Sequence, residues 1–208
     1  MSLIILFGLP GTGKTYVGKI FEKYFNYYFY DGDNDLTEEM KEAIKTKTVF
    51  TDEMRDVFFK KLIGNIKELT KKHKKLVIAQ TFIKEKYRVN LLKKIPEAKF
   101  ILIETKKEIR EKHLQERVDY PLDLKYARKM EVNFNEPTID YSIIINNEDG
   151  EENIKRQIKY NVIPAPDRSR GQAPAGIQTK ITIFKMKIID WIPSYEGMTV
   201  LNLLIILL

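Results

Sequence analysis

The chain has 208 residues, 43% of them hydrophobic, with no cysteine and a net charge of +7. That length suits one domain with a possible appendage. The lack of cysteine excludes a disulfide framework and a thiolate metal site, and the two distant histidines, His73 and His113, form no zinc-ligand cluster. Lysine supplies 28 of the 36 basic residues. Scattered lysine of this kind solvates helix faces, so no nucleic-acid partner is expected.

Residues 3–7, LIILF, form a short apolar run with strand character. Directly after it, residues 8–15 read GLPGTGKT, and Gly8, Gly13, Lys14 and Thr15 fit the pattern G-x-x-x-x-G-K-[ST]. Val17, Ile20, Phe21 and Tyr24 then recur at helical spacing. A glycine-rich turn between a buried strand and a helix N-terminus is what phosphate binding needs. Its backbone N–H groups point inward and the helix dipole adds positive potential. The loop from Gly8 through Pro10, Gly11, Thr12 and Gly13 to Lys14 and Thr15 is therefore expected to hold a nucleotide. Lys14 would reach the β- and γ-phosphates, and the Thr15 hydroxyl would ligate Mg²⁺.

Tyr27–Tyr30 reads as a second strand, ending at Asp31-Gly32-Asp33. In an open α/β sheet, ligands bind at the carboxyl edge where these acids emerge. Two carboxylates separated by one residue of extended chain face the same way. Asp31 would then hold Mg²⁺ through water, and Asp33 would orient and deprotonate a substrate hydroxyl. The same residues also suit an Asx-type turn. Helical stretches follow at 37–45 and 52–71, the second with Thr51 as N-cap. The run Lys71-Lys72-His73-Lys74-Lys75 reads as a solvated helix end.

Leu76–Ala79 is the third strand, 84–94 a helix ending before Pro96, and Phe100–Ile103 the fourth strand. A charged helix at 106–117 leads to a break at Val118–Pro121 and a further helix at 122–131. Tyr141–Ile145 is the fifth strand and 150–160 a closing helix. Short apolar runs alternating with amphipathic helices predict an α/β fold: a five-stranded parallel sheet of P-loop NTPase type, with helices on both faces and a small lid.

Near Pro164 the pattern changes. Residues 164–176 are rich in proline and glycine, which marks a linker. The expected organisation is a domain over 1–163 and a short hydrophobic extension over 164–208. The run Val200–Leu208 is far shorter than the roughly 20 residues that span a bilayer, so no membrane partner is expected. DWIPSYEGMT resembles translated intergenic repeat elements, and the extension reads as accidental rather than as a partner-binding tail. With a core strand at its start, the chain is expected in the cytoplasm, as a monomer or homodimer.

The combination of GLPGTGKT with YDGD about twenty residues on resembles the gluconate kinase and shikimate kinase group of small-molecule P-loop kinases, over about residues 3–162. FTDEMRD is similar to the group's L-N-D-x-D-R segment and puts Arg55 at its substrate-side arginine. QTFIKEKYR is similar to S-A-L-K-x-x-Y-R and matches Lys84, Tyr87 and Arg88. HLQERVDYP resembles the lid helix, with Arg117 at the lid arginine. NFNEP is similar to a late segment that lies near the adenine in relatives, which implies that Pro137 contacts nucleotide.

The resemblance implies ATP-dependent transfer of the γ-phosphoryl group to a hydroxyl of a small polar metabolite. It casts Lys14, Asp33 and Arg117 as catalytic, and Asp33, Arg55, Lys84 and Arg88 as substrate-binding. Thr15 and Asp31 would hold Mg²⁺. There are departures. Leu36 replaces a histidine usual in gluconate kinases, His113 stands for a second lid arginine, and Ala79-Gln80-Thr81-Phe82 replaces the G-G-G segment of shikimate kinases. From spacing alone, Arg55 has Asp52, Glu53 or Asp56 as helical partners and Arg88 has Glu85, while Arg117 has Glu116 or Asp119 as a surface pair. A nucleoside or nucleotide kinase, or a regulatory ATP-binding module, fits the same P-loop.

Overall fold

In a computed structural model of the chain, residues 1–116 and 124–161 are described. Five strands form one sheet: β1 (Ser2–Phe7), β2 (Tyr28–Asp31), β3 (Lys75–Ala79), β4 (Lys99–Glu104) and β5 (Tyr141–Ile145). Their spatial order is β2-β3-β1-β4-β5 and every pairing is parallel. The helices are α1 (Lys14–Phe25), α2 (Glu38–Lys45), α3 (Asp52–Lys72), α4 (Glu85–Lys94), α5 (Lys107–Gln115), α6 (Leu124–Val132) and α7 (Gly150–Asn161). The predicted elements are therefore all present, with ends shifted by a residue or two. None of the described helices is long and apolar enough to cross a membrane.

The central strand shows why the sheet is covered on both faces. Its side chains alternate, so Leu3, Ile5 and Phe7 point to one side and Ile4 and Leu6 to the other. The first set packs with Phe58, Leu62 and Ile66 of α3 and Leu91 of α4. The second packs with Val17, Ile20 and Phe21 of α1 and Ile154 and Ile158 of α7. Every one of these residues is buried, which is why β1 reads as an unbroken apolar run rather than an alternating one.

Local signals set the element ends. Thr51 caps α3, accepting a hydrogen bond at Oγ1 from the Met54 amide at 3.2 Å. Thr37 caps α2 in the same way through the Met40 amide. At the far end of α3, Lys71 pairs with Glu68 and His73 stacks on Tyr28, so the basic run is indeed a helix end. Because all five strands run the same way, their carboxyl ends share one edge. That edge gathers residues 8–15, 31–33, 80–84, Thr105 and 146–148. The proposed extension over 164–208 lies outside the described residues.

Candidate active site

Phosphate-loop geometry begins with the chain leaving β1. Gly8, Gly11 and Gly13 all take positive φ, at 140°, 83° and 83°. At Gly11 a Cβ would lie 2.7 Å from the Arg110 carbonyl oxygen, so the loop passes too close to α5 for any side chain. Gly13 is the N-cap of α1, and a Cβ there would collide with the Asn146 amide. That amide donates to the Thr12 carbonyl at 2.9 Å, and the Thr105 hydroxyl donates to the same oxygen at 3.0 Å. Thr12 is buried and braces the loop from behind, its own hydroxyl donating to the Leu9 carbonyl. Lys14 Nζ donates to the carbonyls of Gly8, at 3.0 Å, and Leu9, at 2.8 Å. The ammonium is thus drawn over the loop's own arch.

Pro10, Gly11, Gly13, Lys14 and Thr15 open onto a cavity of about 740 Å³. Asp31 and Asp33 line the same cavity. The Thr15 hydroxyl donates to Asp31 Oδ2 at 3.1 Å, which brings together an alcohol and a carboxylate predicted to share a cation. The extended geometry expected for the acidic pair is not found. Gly32–Asp35 forms a 3₁₀ turn, and Asp31 caps it by accepting the Asp33 amide at 3.0 Å. The Asx turn and the site are the same object, because a short carboxylate after a strand both closes the turn and faces the phosphate loop. Asp33 is held in turn by Gln80, whose Nε2 donates to Asp33 Oδ1 at 3.1 Å.

Arg55 and Lys84 also line the cavity. Arg55 Nη1 lies 3.3 Å, and Lys84 Nζ 2.5 Å, from the same Asp52 oxygen. The hydrogen bond from Lys84 leads the causes that hold the Asp52 carboxyl below its ordinary value. Nearby, Asp56 accepts from the Tyr87 hydroxyl at 2.7 Å, and burial together with that bond pushes the Tyr87 phenol up to about 12.

Two predicted site residues fall elsewhere. Arg88 does not line the cavity; its side chain is fully buried. Its guanidinium donates to the Phe82 carbonyl at 2.9 Å, to the Asn135 carbonyl and to Glu85, and lies over the rings of Phe7 and Phe134. Every face of the cation meets protein, an arrangement that braces the cavity wall. Pro137 sits in the same network, beside Thr138, whose amide donates to Glu85 at 2.8 Å. It is absent from the cavity wall, where Asn146, Glu148 and Gly150 stand on the phosphate-loop side instead. Arg117 lies outside the described residues.

Several residues at or beside the cavity have no site role assigned from the sequence. Gln80 follows a buried strand and was visible only as the place where a glycine-rich segment is missing. Phe82 takes φ 48°, rare for a bulky residue, while fully buried in the cavity wall. His113 bridges Gly11 O, 2.9 Å from Nδ1, and Glu148 Oε1, 3.1 Å from Nε2. Bonds from His113 and Lys112 hold the Glu148 carboxyl below its ordinary value. Arg110 of α5 is buried and reaches Glu131 of α6 at 2.7 Å. Such contacts join residues far apart in the chain, which spacing cannot show.

This is the architecture of a P-loop kinase. A solved sugar kinase from Janibacter sp. HTCC2649 superimposes with a TM-score of 0.65 at 17% identity, covering 77% of this chain and 94% of that one. A gluconokinase from Sinorhizobium meliloti 1021 gives 0.64 at 16% identity, covering 88% and 97%. Deoxyadenosine kinase from M. mycoides gives 0.51 at 16% identity, covering 76% and 95%. Among curated proteins none matches the chain significantly in sequence. The family model for shikimate kinase matches residues 10–158, and the chain belongs to that family. Membership supports a small-molecule phosphotransferase.

Proposed function

We propose that the protein transfers the γ-phosphoryl group of ATP to a hydroxyl of a small metabolite. One observation carries this reading: a carboxylate held by Gln80, Asp33, faces the same cavity as the phosphate loop and the Thr15–Asp31 pair. A machine that only hydrolyses nucleotide has no need of that second acid at the acceptor side. Phosphoryl transfer asks a protein chiefly for positioning and for charge on the phosphate oxygens.

In the transfer, the bond from the γ-phosphorus to the β-phosphate oxygen breaks and one to the acceptor oxygen forms. The acceptor proton passes to the Asp33 carboxylate, and ADP leaves. The amides of Gly11–Thr15 and the Lys14 ammonium take up the charge on the β- and γ-phosphates, with the Gly8 and Leu9 carbonyls giving Lys14 up to phosphate. Thr15 Oγ1 and Asp31 are hard oxygen donors side by side and fit Mg²⁺, which keeps several waters and needs few protein ligands. Among the described residues no group of three or more acidic or histidine side chains competes for a metal. Bound there, Mg²⁺ would neutralise charge on the phosphate oxygens. Asn146, Glu148 and Gly150 would flank the nucleotide, Arg55 and Lys84 the acceptor, and Arg117 would act from the lid over the transferring group.

Asp33→Asn tests the assignment. It keeps the size and the Gln80 contact but removes the base. Nucleotide affinity should stay unchanged in a titration while turnover falls roughly 10²- to 10⁴-fold. Near-normal turnover would remove Asp33 from the chemistry.

A further inference from the structure

The cavity is polar where the phosphate loop and the two aspartates stand and apolar over much of the rest. Met40, Ile44, Phe50, Phe59, Tyr126 and Met130 all line it. The aromatic wall starts two residues from Gln80, which holds Asp33: Phe82 and Phe59 meet at 4.9 Å between centroids, and Phe59 stacks on Tyr87 at 4.0 Å. Phe50 and Tyr126 meet edge to face at 6.2 Å. The two cations in this region converge on Asp52, so neither stands as a ready carboxylate clamp. Tyr126 sets a polar atom into this lining. The Tyr126 hydroxyl is buried, and beyond a weak approach by the Phe50 backbone it has no hydrogen-bond partner among the described residues.

A polyol or sugar acid fits this lining badly. Each hydroxyl set against Phe59, Met40 or Met130 loses its bonds to water without a replacement, lowering affinity by about tenfold or more. A flat ring does the opposite. Aromatic faces and thioethers pack on it, and methionine adapts to its outline. A buried phenol without a well-formed hydrogen bond suits one acceptor atom on that ring.

Resting on the kinase reading above, we infer that the acceptor is a heteroaromatic alcohol. Its ring packs among Phe50, Phe59, Met40 and Met130, one ring nitrogen or carbonyl oxygen accepts from Tyr126, and a hydroxyl on a short arm reaches Asp33. This departs from the polar metabolite that the sequence suggests. Nucleosides and hydroxymethyl heteroarenes share this chemistry and differ in whether a sugar joins ring to hydroxyl.

The test is ADP formation by the full chain with ATP and Mg²⁺ against three sets of acceptors: nucleosides, hydroxymethyl-substituted pyrimidines and pyridines, and a polar set of gluconate, shikimate and sorbitol. One of the two ring sets should exceed the polar set at least tenfold in kcat/KM, and which one does identifies the linker. Tyr126→Phe removes only a hydroxyl that the Phe50 backbone weakly approaches, and so spares the fold. It should raise KM for the preferred ring alcohol roughly fivefold to tenfold with kcat unchanged. An unchanged KM would overturn the Tyr126 contact. Preference for the polar set, with ADP release still abolished by Lys14→Ala, would overturn the ring acceptor and leave the kinase reading intact. ADP release that no acceptor stimulates would overturn both.

Discussion

The two sides of the cavity are built by different means. On the nucleotide side the work is done by backbone: three glycines at positive φ, amides at the start of α1, and carbonyls that hold Lys14. On the acceptor side it is done by side chains from α2, α3, α6 and the loop after β3, set against a wall that Arg88 braces from behind. A backbone site is specified by a short contiguous motif, because only a few residue types permit its torsions. A side-chain site is specified by whichever residues the fold brings together. The proposed donor site is therefore legible in eight residues, whereas the proposed acceptor wall draws on residues from Met40 to Met130.

The strongest way to break this contrast is at Arg88. If the acceptor wall depends on it, Arg88→Met should cost about 3–5 kcal/mol, because Glu85 loses its buried partner and two carbonyls lose a donor. Thermal or denaturant unfolding measures the loss. A variant that folds with wild-type stability and shows only a raised acceptor KM would return Arg88 to the substrate-binding role that the sequence implies. On the nucleotide side, Lys14→Ala should lower kcat roughly 10²- to 10³-fold without unfolding the chain, since it removes a cation aimed at developing charge. Unchanged turnover there would sink the phosphate-loop assignment. Gly11→Ala comes next. Its φ of 83° and the 2.7 Å approach to Arg110 O predict a loss of about 1–3 kcal/mol, read as a lower melting temperature. Equal stability would mean that the loop relaxes away from α5 at little cost.

Arg88 also shows where sequence reading ended. Among the described residues all five strands and the seven α-helices were legible, since apolar periodicity and the Thr51 cap depend on local chain. So were Gly11, Lys14, Thr15, Asp31 and Asp33, which the structure gathers on one cavity. Arg88 matched a family segment equally well and yet turns inward. One helical turn after Glu85, it meets the carbonyls of Phe82 and Asn135, and nothing in its spacing marks those partners. Pro137 likewise stands off the cavity wall: its segment meets α4 through Thr138 and Glu85. The aromatic wall was hidden because Phe50, Phe59 and Tyr126 each look like ordinary core when read singly.

The smallest effect tests the same buttress through pH. Burial alone would raise the Glu85 carboxyl, but hydrogen bonds from Thr138 and Arg88 outweigh it and leave the group below its ordinary value of 4.5. A carboxyl lowered in the folded state adds stability above its unfolded value, and that contribution fades as pH falls through the folded one. The wild-type melting temperature should therefore drop with acid below pH 4.5 partly on account of Glu85. Glu85→Gln keeps an acceptor for Thr138 but has no proton to bind. Its melting curve should start lower at neutral pH and fall less steeply below that point. Parallel curves for the two proteins would show that Glu85 titrates alike folded and unfolded. The Arg88–Glu85 contact would then brace the acceptor wall by shape rather than by charge.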